Sequence, residues 1–396
     1  MSNSVKPNRL LVIDDEPGIC EFIKDVAEEN EFEVNVATGL KEFQRIYRSF
    51  SPTVIILDLV MPEADGIEVL RFLAGDRCRA QIFVASGVDP KVLGTAKRVG
   101  DAQGLHMSGV LRKPIMVSDL EALLRKISQR QQTTTEEGLS TAIEKNQLVV
   151  YYQPKVSLIA EDAPAIESVE ALVRWDHPQY GLLGPDEFIP LAEETGLISG
   201  LTDYVVRVVA QQIAQWQLEG LSLSVAVNLA PQLLGRLELP DRISNVLKEH
   251  NVLGSSLVFE VTERAAMANT ARTMDILTRF RLKDIGLSLD DFGTGYSSLV
   301  ELCRMPFNEL KIDKSLVIEI EKNKEAKLIV RSIIDLAHNL RLSVCAEGVE
   351  SQEALNFLHK VGCDKVQGFY VSKPVTPTDL APLIRTADWA WLKRSA

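Results

Sequence analysis

Leu289-Asp290-Asp291-Phe292-Gly293-Thr294-Gly295-Tyr296 ends a short apolar run, 286–289, with two adjacent carboxylates and a glycine-bracketed loop. Neighbouring side chains of a strand point to opposite faces, so two adjacent Asp can aim at one place only where a strand gives way to a loop. The run 286–289 is therefore read as a strand that stops at Leu289, with Asp290 and Asp291 at its exit. Two carboxylates held together repel, which raises the pKa of one. A hard divalent cation removes that repulsion, and Mg²⁺ favours one or two carboxylates completed by waters and substrate phosphates. Taken alone, the stretch is equally an acidic turn ahead of a glycine-rich loop. Its surroundings decide between the two.

Outward from this stretch, strand-like runs recur at 148–156, 168–175, 223–229, 257–261, 286–289, 309–312, 343–346 and 366–371. Helical periodicity separates most of them, at 201–219, 240–250, 270–283, 325–340, 352–361 and 377–387. Strands alternating with helices over this length predict a closed, TIM-like (β/α)8 barrel. An open doubly wound sheet is the alternative. No convincing helix lies between the first two runs, so the first strand is expected to be antiparallel.

Polar residues gather at the far ends of these runs, where such barrels build their sites. Glu170 lies in the second run and Asn228 ends the third; Glu260 ends the fourth, with Glu263 beyond it. Asp290 and Asp291 follow the fifth run, Lys311 and Asp313 belong to the sixth, Glu347 and Glu350 follow the seventh, and Gln367 lies in the eighth. Singly, each has a structural alternative. Glu263 and Glu350 read equally as caps or loop ion pairs, Asp313 as an N-cap, and His177 as part of a turn ending at Pro178. Asn228, inside Val-Ala-Val-Asn-Leu, reads as a buried amide that needs partners. Together, oxygen ligands without clustered His or Cys select Mg²⁺ or Mn²⁺ over Zn²⁺. Asp290 beside Asp291 lets one carboxylate serve a second ion, and two such ions suit an in-line displacement at phosphorus. Lys311 would orient the water or neutralise charge, and Glu347 would ligate a metal or act as base.

The N-terminal third alternates in the same way. Strands are expected at 10–13, 34–37, 53–57, 82–85 and 110–111, with helices at 19–29, 40–49, 67–74 and 118–128, giving a doubly wound parallel sheet. Ligands of such sheets sit beyond the carboxyl ends of the strands. Asp14, Asp15, Asp58, Ser86 and Lys113 all fall there. Asp14 and Asp15 suit Mg²⁺, Asp58 is a candidate nucleophile for an aspartyl-phosphate, and Ser86 and Lys113 could contact the phosphoryl group. Between these regions, residues 129–138 are polar and without apolar period, and mark the boundary of domains 1–128 and 139–396.

Composition is that of an ordinary globular protein: 396 residues, 46% hydrophobic and 25% charged. A net charge of -12 argues against a nucleic acid polymer as partner. Five scattered cysteines read as reduced packing residues, and no apolar run is long enough to span a bilayer. With the polar start of the chain, a cytoplasmic protein without membrane contact is expected.

Val12-Ile13-Asp14-Asp15-Glu16, Leu57-Asp58-Leu59-Val60-Met61-Pro62, Asp65-Gly66, Ala85-Ser86-Gly87 and Leu111-Arg112-Lys113-Pro114 resemble a response-regulator receiver domain over residues 8–128. The resemblance implies Asp58 as phospho-acceptor, Asp14 and Asp15 as the metal-holding pair, Ser86 and Lys113 as switch residues, and a histidine kinase as phosphoryl donor. Two departures stand out: Val110 replaces the usual switch aromatic, and the segment before Lys113 is long and carries Gly94, Gly100, Gly104 and Gly109.

Glu170-Ala171-Leu172-Val173-Arg174-Trp175, Glu260-Val261-Thr262-Glu263, Asp290 to Gly295, Leu310-Lys311-Ile312-Asp313, Ala346-Glu347-Gly348-Val349-Glu350 and Gln367-Gly368-Phe369 resemble the EAL family of cyclic di-GMP phosphodiesterases over residues 139–386. The resemblance implies hydrolysis of cyclic di-GMP to linear pGpG. It implies Glu170, Asn228, Glu260 and Asp290 as metal ligands, Asp291 serving a second ion, Lys311 positioning water, Glu347 as base or ligand, and Glu263 anchoring the loop after Asp291. Gln153, Leu172, Arg174 and Gln367 would contact substrate, and a homo-oligomer is implied. The rival expectation is a receptor that binds the nucleotide without cutting it; its mark would be a lost ligand, and none is lost.

Overall fold

The computed structural model describes residues 8–386, apart from 63–64, 77, 79, 88–92, 97–98, 101–102, 104, 134, 160–165, 269 and 294–298. Contacts divide the chain into two compact units, Met1–Thr134 and Thr135–Ala396.

In the first unit, β1 (Arg9–Ile13), β2 (Glu33–Ala37), β3 (Val54–Asp58), β4 (Gln81–Ser86) and β5 (His106–Arg112) pair in parallel, in the order β2-β1-β3-β4-β5. Helices Pro17–Glu29, Leu40–Phe50, Gly66–Gly75 and Val117–Thr133 lie between or after the strands. Alternate residues feed two cores. Leu11, Ile13, Ile55 and Leu57 pack with Phe43 and Leu70 on one face; Leu10, Val12 and Ile56 pack with Ile23, Leu120 and Leu124 on the other. Burial on both faces explains why β3 is an unbroken apolar run up to Asp58. Reversal of strand order beside β1 puts the exits of β1 and β3 at the crevice where ligands bind.

The polar stretch 129–138 carries more regular structure than its lack of apolar period suggests. The helix Val117–Thr133 runs into it, and Glu136–Glu144 starts within it. Thr135 caps that second helix, accepting a hydrogen bond from Gly138 N at 3.1 Å.

In the second unit the strands are β6 (Leu148–Ser157), β7 (Ile166–His177), β8 (Gly181–Leu183), β9 (Ser224–Asn228), β10 (Leu257–Thr262), β11 (Gly286–Phe292), β12 (Glu309–Ile312), β13 (Ser343–Ala346) and β14 (Lys365–Val366). Neighbours from β7 through β9 to β14 are parallel. β6 closes the ring, antiparallel to both β7 and β14. Among the described residues this is a closed barrel of eight strands with its first strand reversed; β8 adds only a short hairpin to β7. A parallel neighbour needs a crossover, and only 158–165 separates β6 from β7, so the pair runs antiparallel.

Several expectations need correcting. β11 does not stop at Leu289 but continues to Phe292, with a register shift against β12 between Leu289 and Phe292. β14 is two residues long, not six; beyond it single hydrogen bonds remain, such as Gln367 N to Ala346 O at 2.9 Å. Helices Pro185–Thr195, Glu263–Ala268, Leu299–Arg304 and Lys314–Ile318 went unexpected, the last three being too short to show a period. Asn228 is exposed rather than buried, because it is the last residue of β9 and stands at the barrel rim. Cys303 is likewise exposed, whereas the other four cysteines are buried. Asp313 is the N-cap expected of it, accepting from Ser315 N at 2.9 Å. No helix among the described residues is long and apolar enough to cross a membrane.

Candidate active site in the barrel and phospho-acceptor pocket

Strand alternation sets the barrel mouth. Glu170, Leu172 and Arg174 share one face of β7, and Gln153 of β6 lies opposite Glu170. Glu260 and Lys311 project from β10 and β12, and Glu347 follows the last residue of β13. Four carboxylates converge on the Lys311 ammonium. Its Nζ lies 2.5 Å from Glu347 Oε1, 2.8 Å from Glu260 Oε2, 3.2 Å from Asp290 Oδ1 and 3.7 Å from Glu170 Oε2. Lys311 and Glu260 are each 1% exposed. Amides complete the ring. Asn228 Nδ2 donates to Glu170 Oε1 at 2.9 Å, and Gln367 Nε2 donates to Glu170 Oε2 at 2.7 Å and Gln153 Oε1 at 3.0 Å.

Asp291 solves the problem of two adjacent carboxylates differently from a strand end. Its φ is +58°, left-handed, and it sits within the irregular part of β11 while Asp290 still pairs with Thr262. A bulge of this kind re-aims one side chain. Oxygens of Asp290, Asp291 and Glu347 consequently come within 4.8 Å of one another. Glu263, buried at the start of its helix, accepts from Gly293 N at 3.3 Å and so holds the residue at which the loop begins. Residues 294–298, the rest of that loop, lie outside the described residues.

Electrostatics follow from this crowding. Burial pushes Glu347 up to about 8; Lys311 opposes the shift, and Asp290, Glu170 and Glu260 add to it. Burial, then Asp290, raises Asp291 to about 6. Burial also raises Asp290 against Lys311. Glu170 moves the other way, since Lys311 and Lys155 overcome its burial. Carboxylates crowded so that each resists ionisation gain from a divalent cation, which relieves their repulsion. The donors are all oxygen apart from the lysine, which fits Mg²⁺ or Mn²⁺. Beside the cluster a cleft of about 340 Å³ is lined by Gln153, Glu170, Glu347, Glu350, Gln367 and Phe369, among others. Gln367 Oε1 is buried there without a hydrogen-bond partner among the described residues. Leu172 and Arg174 lie further along β7, outside the lining of that cleft; Arg174 donates to the Val173 carbonyl.

In the first unit, Asp14 follows β1, Asp58 and Ser86 end β3 and β4, and Lys113 follows β5. Lys113 Nζ lies 2.6 Å from Asp58 Oδ2 and 2.7 Å from Asp14 Oδ2. Oxygens of Asp14, Asp15 and Asp58 fall within 4.8 Å of one another. Burial raises the Asp14 carboxyl, with Lys113 opposing. Gly66 is required by close packing: a Cβ there would stand 2.7 Å from both Asp58 O and Leu59 Cα. Val110, on β5, is 43% exposed.

Residues 136–374 match the EAL domain family, and residues 10–125 match the response regulator receiver domain family. This chain belongs to the EAL domain family. It is 30% identical over 335 residues to the cyclic di-GMP phosphodiesterase RocR of Pseudomonas aeruginosa, covering 81% of this chain and 84% of that one. It is 41% identical over 244 residues to the bifunctional diguanylate cyclase/cyclic di-GMP phosphodiesterase MucR of the same organism, over 61% of this chain and 35% of that one. The match spans about a third of the length of the first curated relatives. Among solved structures, the PaMucR phosphodiesterase in complex with c-di-GMP superposes with a TM-score of 0.59 at 39% identity, over 62% of this chain and 98% of that one. An EAL domain protein from Listeria monocytogenes gives a TM-score of 0.56 at 27% identity, over 64% and 99%.

The EAL barrel also contains charges that the strand-end reading missed. Lys155, Ser288, Glu309 and Lys365 form a layer beneath the mouth, with Lys155 only 2% exposed. A signal existed: Lys155 is two residues from Gln153, and Glu309 two from Lys311, so each shares the inward face of its strand.

Proposed function

We propose that this chain is a response regulator whose EAL barrel (139–396) hydrolyses cyclic di-GMP to linear pGpG, under control of phosphorylation of a receiver domain (1–128) through residues 129–138. The observation that carries this reading is the convergence of Glu170, Glu260, Asp290 and Glu347 on one ammonium beside an open cleft. An ammonium enclosed by four carboxylates marks a place built for positive charge.

Asp290, Asp291 and Glu347 would hold Mg²⁺ or Mn²⁺ together with Glu170, Asn228 and Glu260. Bound there, the metals would neutralise the phosphodiester and activate water. The chain's own groups do the rest. Burial lifts the Glu347 carboxyl to about 8 in the metal-free site; bound cations would bring it down again, leaving a carboxylate that ligates a metal or takes a proton from water. Lys311 neutralises charge that develops at phosphorus. Gln367, which also donates to Gln153, orients Glu170; both amides offer contacts to substrate, with Leu172 and Arg174 further along β7. Glu263 keeps Gly293, and with it the exit of β11, in place.

In the receiver, Asp58 would take the phosphoryl group from a histidine kinase, Asp14 and Asp15 would hold Mg²⁺, and Lys113 and Ser86 would meet the phosphoryl oxygens. The protein would work in the cytoplasm as a homo-oligomer. One coupled measurement tests the scheme: the rate of pGpG formation against Mg²⁺, with and without acetyl phosphate, for wild type and Glu170→Ala. Undiminished hydrolysis by the variant removes the catalytic assignment. Tight binding without product makes the barrel a receptor. Equal rates with and without phosphoryl donor remove the control.

A further inference from the structure

Beneath the mouth, alternating charges run through the middle of the barrel. Lys365 Nζ lies 2.8 Å from Glu309 Oε2, and Glu309 Oε1 lies 3.5 Å from Lys155 Nζ. Lys155 Nζ is 2.6 Å from Glu260 Oε1, and Glu260 Oε2 is 2.8 Å from Lys311 Nζ. Lys365 and Glu309 begin β14 and β12, and Lys311 stands two residues further along β12, so the column climbs from the lower end of the barrel to the site. Ser288 Oγ adds a hydrogen bond to Glu309 Oε1 at 3.1 Å. Lys155 and the Glu260 side chain are 2% and 0% exposed, so neither can exchange its partner for solvent.

Each oxygen of Glu260 thus belongs to a different lysine. Lys155 has a side chain 2% exposed and holds the Glu260 oxygen that Lys311 does not. Its ammonium fixes which way the carboxylate turns. With Oε1 held from below, Glu260 offers one oxygen upward, and Lys311 competes for that oxygen alone. Without Lys155, both oxygens would be free to close on Lys311, which would then resist displacement by an incoming cation. The carboxylate would also lose the fixed orientation that a ligand needs.

We propose that Lys155 is a positioning residue. By holding Glu260 Oε1 from beneath, it presents Oε2 alone to the mouth and keeps Lys311 exchangeable for a divalent cation. This rests on the reading of the mouth as a Mg²⁺ or Mn²⁺ site. The contrary expectation is purely structural: a buried pair that can be replaced by uncharged groups with no consequence beyond stability.

The test is Mn²⁺ binding to the full chain, followed by the electron paramagnetic resonance of free Mn²⁺, alongside thermal unfolding in chelator. All proteins carry Asp14→Ala and Asp15→Ala, which leave a single carboxylate in the cluster of the first unit. Lys155→Met should lower the melting temperature and weaken Mn²⁺ at least tenfold. Lys155→Met with Glu309→Gln removes a charge of each sign and keeps hydrogen bonding to Ser288 and Lys365. That double variant should regain most of the melting temperature and none of the Mn²⁺ affinity. Recovery of affinity together with stability, or Mn²⁺ binding by Lys155→Met as tight as its parent, overturns the proposal. If Lys155→Met does not fold, the double variant decides by itself. Absence of Mn²⁺ binding in the parent overturns the metal reading and this inference together, and is seen before any Lys155 variant is compared.

Discussion

Asp290 N-terminal to Asp291 is a regular strand residue paired with Thr262, whereas Asp291 has a left-handed φ of +58°. Two sequence neighbours that would face opposite ways are thereby brought within reach of the same ion, with Glu347 as third partner. The conformation costs a non-glycine residue about 1–2 kcal/mol. Burial and Asp290, which push the Asp291 carboxyl up to about 6, destabilise the ionised fold further. Asp291→Gly is therefore expected to raise the melting temperature of the metal-free protein while weakening Mn²⁺ binding at least tenfold. Thermal unfolding in chelator and Mn²⁺ titration check the two halves separately. A loss of stability in Asp291→Gly would contradict the strain argument.

The loop that follows should be sensitive at its first residue. Gly293 has φ +100°, and a Cβ there would meet Leu316 Cδ1 at 2.7 Å. The side-chain end can shift, but the backbone angle cannot be relieved so easily. Gly293→Ala should cost about 1–3 kcal/mol of stability and loosen the hydrogen bond to Glu263. Glu263→Gln, which keeps an acceptor oxygen, should lose less activity than Gly293→Ala. Denaturant melts and initial rates on the two variants give the comparison.

Acid should weaken the barrel through Glu309. Burial alone would raise its carboxyl, but Lys155 and then Lys365 hold it down at about 2, against 4.5 for a free Glu. A depressed carboxyl contributes stability that is fully present above the unfolded pKa, here 4.5, and is lost as pH falls towards 2. The contribution is on the order of 3 kcal/mol. Unfolding free energies of wild type and Glu309→Gln, measured from pH 6 downward, should differ by a gap that closes across about pH 4.5 to 2. A gap independent of pH would show that Glu309 acts by packing rather than charge.

In the first unit, the 2.7 Å pair between Lys113 and Asp14 matters for labelling. Acetyl phosphate with Mg²⁺ should phosphorylate wild type but not Asp58→Ala. Asp14→Asn should cut labelling at least tenfold by removing an oxygen from the cluster of Asp14, Asp15 and Asp58. Intact-protein mass reads both. Equal labelling of wild type and Asp58→Ala would remove Asp58 as acceptor.

Gly66→Ala tests the packing under that pocket. Its Cβ would be 2.7 Å from backbone atoms of Asp58 and Leu59, which cannot step aside as a side-chain end can. A loss of about 1–3 kcal/mol in the first unit is expected, measured by denaturant unfolding.

Much of this was legible in the chain itself. Continuous apolar runs such as 54–57 announced strands buried on both faces, and polar residues near the ends of most runs marked the strand exits. The missing helix before Ile166 was enough to reverse β6. Two of the misreadings turn on how strands bend and end. The +58° turn at Asp291 depends on how β11 must bend to meet β12, which no local pattern records. Asn228 reads as interior by its apolar neighbours and is exposed only because β9 ends there.

By itself, then, the sequence determined the alternation of strands with the longer helices and which polar groups stand near the strand exits, because those properties follow from periods of a few residues. Only tertiary structure decided that Glu260 would be shared between Lys155, 105 positions away, and Lys311, 51 away. Closing the barrel brings those strands to a common axis, and a buried carboxylate must then be matched by whatever cation the closure sets beside it.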